Sequence, residues 1–150
     1  MTATPTIVID ANLAAKAVIP GAPLGDEILK QIAGWHLDRT RLVAPDIWLP
    51  EVISVVRQAI YLHLIAAGEG MTCTEDVFRL GVEVISSDLG LCQRALAWAE
   101  RLGHSKAYDG FYLALAEHLA AELWTGDARL LNRARQLGVS WVKTLNEGSS

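Results

Sequence analysis

Short β-branched runs alternate along this chain with longer stretches whose apolar residues recur at helical spacing. Thr6-Ile-Val-Ile9 reads as a buried strand, and Ala11–Val18 as the helix after it. Pro20, Gly21, Pro23 and Gly25 mark a loop before a second helix over Asp26–Leu37. Leu42-Val-Ala44 reads as a strand stopped by Pro45, and Glu51–Ala67 as a helix with Pro50 tolerated in its first turn. Gly68-Glu-Gly70 is expected to break that helix, with another near Thr74–Leu80 and a strand at Val82–Ile85. Ser86, Ser87 and Asp88 are candidate N-caps for a helix ending near Arg101, and Ser105 for one running to about Ala121. Glu122–Thr125 and Ser140–Lys143 read as the last strands, flanking a helix over Ala128–Leu137.

Strand alternating with helix predicts an α/β fold, a parallel-sheet α/β/α sandwich of about five short strands surrounded by helices. No linker or repeat divides residues 1–150, so one domain is expected, with a flexible tail at 146–150. Half the residues are hydrophobic (51%), which excludes a disordered chain. No apolar run reaches the roughly 20 residues that span a bilayer. The opening Met1-Thr-Ala-Thr-Pro-Thr lacks the basic flank and apolar core of a signal peptide, so a cytoplasmic address is expected. Cys73 and Cys92 have no metal-ligand spacing and read as reduced, buried thiols.

The net charge of −4 argues against a strongly basic nucleic-acid binder. There are 17 acids against 13 Lys and Arg, so setting four acids aside leaves the rest of the chain balanced. Four acids stand out by position. Asp10 follows the first strand and Asp127 the Glu122–Thr125 strand, at the edge where open α/β sheets place their sites. Each also suits a plain N-cap. Asp109 lies at the start of a segment, Ala107–Ala121, that is apolar nearly all round, where a desolvated carboxylate needs a cation or hydrogen-bond partners. Glu51 opens another apolar helix, where complementing the helix dipole would explain it equally well. Asp46 competes with Glu51, but turn chemistry after Pro45 accounts for it.

Other signals are bland. His36, His63, His104 and His118 have no clustered spacing, and no GxxxxGK[ST], strand-linked GxGxxG or GxSxG occurs. The five tryptophans read as core residues. Lys16, Arg57, Lys106, Arg129 and Arg133 are candidate local contacts for any nucleic acid, although a solvated surface explains each one singly.

The acids in their settings resemble the PIN-domain family, particularly the ribonuclease toxins of VapBC toxin–antitoxin pairs. Ile7-Val-Ile-Asp10-Ala-Asn12, Pro50-Glu51-Val52, Ala107-Tyr-Asp109-Gly-Phe-Tyr-Leu-Ala-Leu-Ala-Glu117 and Thr125-Gly-Asp127-Ala-Arg-Leu130 match four family elements in order. Gly110 and Gly126 stand where the family usually has alanine or another small residue, an exchange expected to cost little. The resemblance implies a Mg²⁺- or Mn²⁺-dependent endoribonuclease, frequent homodimers and a cognate antitoxin. Asp10, Asp109 and Asp127 are then expected to bind metal, and Glu51 to bind metal or orient water. Asn12 and Thr125 are expected to support them by hydrogen bonding. Carboxylates packed together should also raise the pKa of at least one acid through like-charge repulsion. Alternatives are a non-toxin PIN nuclease that processes RNA, a haloacid-dehalogenase-like phosphotransferase, and a receiver-like or RNA-binding interaction domain. Asn12 stands where the phosphotransferase needs a second Asp.

Overall fold

The computed structural model describes residues 4–145. Strand β1 (Thr6–Ile9) is built from β-branched residues suited to a pleated surface, and Val8 and Ile9 are wholly buried. It is the central strand of a five-stranded, all-parallel sheet in the order β3-β2-β1-β4-β5. The neighbours are β2 (Arg41–Pro45) and β3 (Glu83–Ile85) on one side, and β4 (Glu122–Trp124) and β5 (Val142–Lys143) on the other. Helices α1 (Ala11–Val18), α2 (Gly25–Leu37), α3 (Trp48–Tyr61) and α4 (Ala67–Arg79) connect the strands on the first side. Helices α5 (Leu89–Leu102), α6 (Tyr108–Leu119) and α7 (Ala128–Gln136) serve the second.

Parallel crossovers are right-handed, so reversing direction at β1 puts the two helix sets on opposite faces. The packing agrees: α1 meets α2, α3 and α4, while α5 packs on α6, which lies against β1, β2 and β4. The reversal also makes the carboxyl ends of β1 and β4 a topological switch point, where such sheets open a crevice. No helix among the described residues is long and apolar enough to cross a membrane.

Five expectations fail locally. The helix expected over Glu51–Ala67 is α3, which begins at Trp48 and ends at Tyr61. Its end is followed by a turn in which His63 takes a left-handed φ of 60°. Ala67 then opens α4, so Gly68-Glu-Gly70 lies inside a helix instead of breaking one. Glu69 supplies the reason, because its carboxylate accepts from the Ala66 N–H at 2.9 Å and satisfies an orphan donor of the new helix. Gly70 serves packing: a Cβ there would stand 2.4 Å from the Ile60 side chain of α3.

Ser105 does not cap α6, which starts at Tyr108 after Ala107. Cys73 is buried, its thiol donating to the Val18 carbonyl at 3.3 Å, but Cys92 is exposed on α5. Gly110 is not cheaply exchanged, because a Cβ would meet the Ala95 carbonyl oxygen of α5 at 2.2 Å. That missing side chain lets α6 lie directly on α5. The tryptophans do belong to the interior: Trp35, Trp48 and Trp98 are buried, and the partly buried Trp124 and Trp141 pack edge-on against Trp35 and Trp98. The proposed tail at 146–150 lies outside the described residues.

Candidate active site

Each of the four acids is delivered by a junction between elements. Asp10 ends β1 and caps α1, its Oδ1 accepting from the Leu13 N–H at 2.8 Å. Asp127 follows β4 and caps α7, its Oδ1 accepting from the Arg129 and Leu130 N–H groups at 2.9 and 3.4 Å. Glu51 and Asp109 lie in the first turns of α3 and α6, where the helix dipole favours a negative charge. The structure brings all four to one cavity of about 620 Å³. Asn12, Ser54, Gln58, Tyr108 and Tyr112 share its lining.

Asp10 is the deepest, 5% exposed, and Thr125 beside it is fully buried. The Thr125 hydroxyl donates to Asp10 Oδ2 and accepts from the Asp127 N–H at 2.9 Å. One hydroxyl thus links the Asp10 carboxylate to the Asp127 backbone. Asn12 lines the cavity from the exposed side of α1.

Three acids are pushed above the usual carboxylate range. Burial raises Asp10 to about 6, against the hydrogen bonds from Thr125, Leu13 and Gly126, and the Asp109 charge adds to the rise. Burial also raises Glu51, with the Tyr112 hydrogen bond opposing and the Asp109 charge adding. Asp109 is raised by burial, lowered in part by His104, and raised again by Asp127. A raised acid was expected from mutual repulsion. Desolvation is instead the largest cause throughout, and repulsion adds the smallest contribution.

Two functional neighbours were missed in the sequence. Tyr112 is 2% exposed and donates to Glu51 Oε1 at 2.7 Å. Its only sequence signal is its place three residues after Asp109, on the same helix face. His104, which looked isolated, brings Nδ1 to 3.4 Å from Asp109 Oδ2.

The basic residues do not join the cavity lining. Lys16 lies beside the β4–α7 loop, its Nζ 3.4 Å from where a Cβ on Gly126 would stand. It lines a larger hollow of about 690 Å³ between the end of α1, the start of α2 and the end of α4, which contains none of the four acids. Arg57, Lys106 and Arg129 are exposed on α3, before α6 and on α7. Arg133 donates from Nε to the Leu102 carbonyl at 3.1 Å and from Nη2 to the Arg101 carbonyl at 3.3 Å, closing the end of α5. Asp46 is turned elsewhere, accepting from the Ser87 N–H at 2.9 Å and hydroxyl at 2.7 Å.

The four carboxylates are hard oxygen donors of the kind Mg²⁺ and Mn²⁺ accept. Among the described residues, no three Asp, Glu, His or Cys side chains are grouped as a ready-made cage for an ion. Mg²⁺ does not need one, since it takes one or two carboxylates directly and keeps several waters.

Solved structures share this fold at low identity. A Pyrobaculum aerophilum protein, PAE2754, superposes with a TM-score of 0.68 at 15% identity, covering 95% of this chain and 85% of that one. VapBC2 from Rickettsia felis, bound to a DNA fragment from its promoter, gives a TM-score of 0.65 at 15% identity over 93% of this chain and 98% of that one. Mycobacterium tuberculosis VapC20, described as a Sarcin-Ricin loop cleaving toxin, gives 0.63 at 12% identity over 84% and 93%. No curated protein sequence matches the chain. The PIN domain family model matches residues 7–136, a span holding all four acids and every strand but β5, and the chain belongs to the PIN-domain family.

Proposed function

We propose that this protein is a divalent-metal-dependent endoribonuclease, acting as the toxin of a type II toxin–antitoxin pair. The observation that carries the reading is the convergence of Asp10, Glu51, Asp109 and Asp127 on one cavity at the switch point of the sheet. Stability alone does not account for it. Burial lifts three of the acids above their usual range, so the fold bears a cost that a bound cation would offset. Family membership and the likeness to VapC20 and VapBC2 support a nuclease of the toxin–antitoxin kind.

Asp10, Asp109 and Asp127 are assigned to hold Mg²⁺ or Mn²⁺, with Glu51 holding the ion or orienting water. A cation in such a site supplies an acidified water and neutralises charge on the attacked phosphate. Around it, Thr125 fixes the Asp10 carboxylate and Tyr112 holds Glu51. The chain's net charge of −4 leaves phosphate binding to the neutralised site and to local cations, for which Lys106, Arg129 and Lys16 stand nearest in sequence or space to the acids. The partner reading is an antitoxin segment, most simply a helix laid in the hollow between α1, α2 and α4, together with a second copy of this chain as a homodimer.

Purified protein is expected to cleave RNA in Mg²⁺ or Mn²⁺ and to stop in EDTA. Asp10→Asn should lower the rate on the order of a hundred-fold or more while keeping the fold. Undiminished cleavage by the well-folded variant would remove the assignment.

A further inference from the structure

Tyr112 is a buried polar group at the site that the four-acid chemistry leaves without a task. A phenylalanine would fill the same space in α6, and a buried hydroxyl is unfavourable unless it is hydrogen-bonded. Here the hydroxyl reaches across the molecule. It donates to Glu51 Oε1 at 2.7 Å, the only side-chain hydrogen bond between α3 and α6 among the described residues. Those helices belong to opposite layers, α3 packing on α1 and α4, and α6 on α5 and the sheet. The Ala11 N–H, next to Asp10, also faces the hydroxyl. One oxygen atom therefore stands where the starts of α1 and α3 and the first turns of α6 meet.

The Glu51 carboxylate has no other hydrogen-bond partner among the described residues. Its side chain is long, and without Tyr112 its rotamers would be limited only by the neighbouring walls. The tie also occupies one of its two carboxylate oxygens. Asp10 is held by Leu13 and Thr125, and Asp127 by its helix start, so the tyrosine gives Glu51 what the strand-end acids draw from backbone and threonine.

We infer that Tyr112 is a positioning residue, its hydroxyl fixing Glu51 so that the acid from α3 faces Asp10 and Asp109 across the cavity. The inference rests on the metal-binding reading above. Groups that orient metal ligands typically change metal affinity 10–100-fold when removed.

The test is Mn²⁺ binding to metal-free protein, followed by calorimetry or by the electron paramagnetic resonance signal of free Mn²⁺. Wild type, Asp109→Asn, Tyr112→Phe, Glu51→Gln and the Tyr112→Phe/Glu51→Gln double variant are compared, each checked for folding by its melting curve. Tyr112→Phe is expected to weaken Mn²⁺ binding about ten-fold. In the Glu51→Gln background it should have little further effect on Mn²⁺ affinity, because the hydroxyl then positions a neutral amide, not a charged ligand. Should the Phe variant not fold, Tyr112→4-fluorophenylalanine, which fills the hydroxyl's space without donating, carries the comparison and is expected to weaken binding equally. Wild-type affinity in Tyr112→Phe, or the same weakening in both backgrounds, would overturn the inference while leaving the metal site intact. Binding to Asp109→Asn as tight as to wild type would remove the metal reading itself, and this inference with it.

Discussion

Asp10 and Asp127 end neighbouring parallel strands, cap the helices that follow, and are joined through one threonine; Glu51 and Asp109 open helices from opposite layers and cap nothing. The strand-end pair draws on backbone N–H groups that any α/β protein must satisfy at a helix start. Capping gives both acids a structural reason to be present, so their positions alone could not separate a cap from a metal ligand, although the burial of Asp10 exceeds what a cap requires. The helix-start pair has no such obligation. Its partners are one side chain each, Tyr112 for Glu51 and His104 for Asp109, and both acids are raised by burial. Under the proposed function the strand-end acids serve both fold and chemistry, while the helix-start acids would owe their places to chemistry.

The largest effect is expected where the helix-start half is seated. Gly110 follows Asp109, and a Cβ there would collide with the Ala95 carbonyl at 2.2 Å, a backbone atom that cannot swing aside. Gly110→Ala should destabilise the protein by roughly 3 kcal/mol or more, or else push α6 off α5 and carry Asp109 out of the cluster. Chemical denaturation checks the first and metal affinity the second; a variant matching wild type in both would show that α6 has slack.

Next comes the burial of Asp10. Its pKa is raised in the fold to about 6 from an ordinary 3.8, so the protonated form favours folding. That stabilisation is complete below pH about 4 and is lost as pH climbs through about 6. In EDTA, the stability of wild type relative to Asp10→Asn should therefore fall by roughly 2–3 kcal/mol between pH 4 and 7. Referring wild type to the variant cancels the other titrating groups, among them Asp46, which the Ser87 hydrogen bonds hold low. A difference independent of pH would mean that Asp10 is better solvated than its 5% exposure implies.

The contrast between the two pairs also explains what could be read from the chain. Every strand and all four acids were legible, because β-branched runs ending in Asp, and acids opening apolar helices, are local patterns. The α3–α4 boundary was not, since Glu69 reaching back to Ala66 outweighs two glycines that look like breakers. Gly110, Tyr112, His104 and the exposed Cys92 were invisible for a related reason. Each owes its role to what faces it in space: the α5 backbone, a carboxylate on α3, a carboxylate five residues on, or solvent. The cause of the raised acids was misjudged likewise, because spacing along a chain reveals charge neighbours more readily than depth.

The smallest effect bears most directly on the claim that the helix-start acids are there for a cation. With metal absent at pH 7, ionised Asp109 is unfavourable on balance, burial and Asp127 outweighing His104. Its side chain is 34% exposed, so screening keeps the gain from neutralising it below about 1 kcal/mol. The measurement is thermal melting of wild type and Asp109→Asn at pH 7, each in EDTA and in millimolar Mg²⁺. Asp109→Asn is predicted to melt slightly higher than wild type in EDTA, while Mg²⁺, binding only the folded form, raises wild type and leaves the variant nearly unmoved. A variant that melts lower in EDTA, with Mg²⁺ shifting neither protein, would contradict the account and make Asp109 a structural acid.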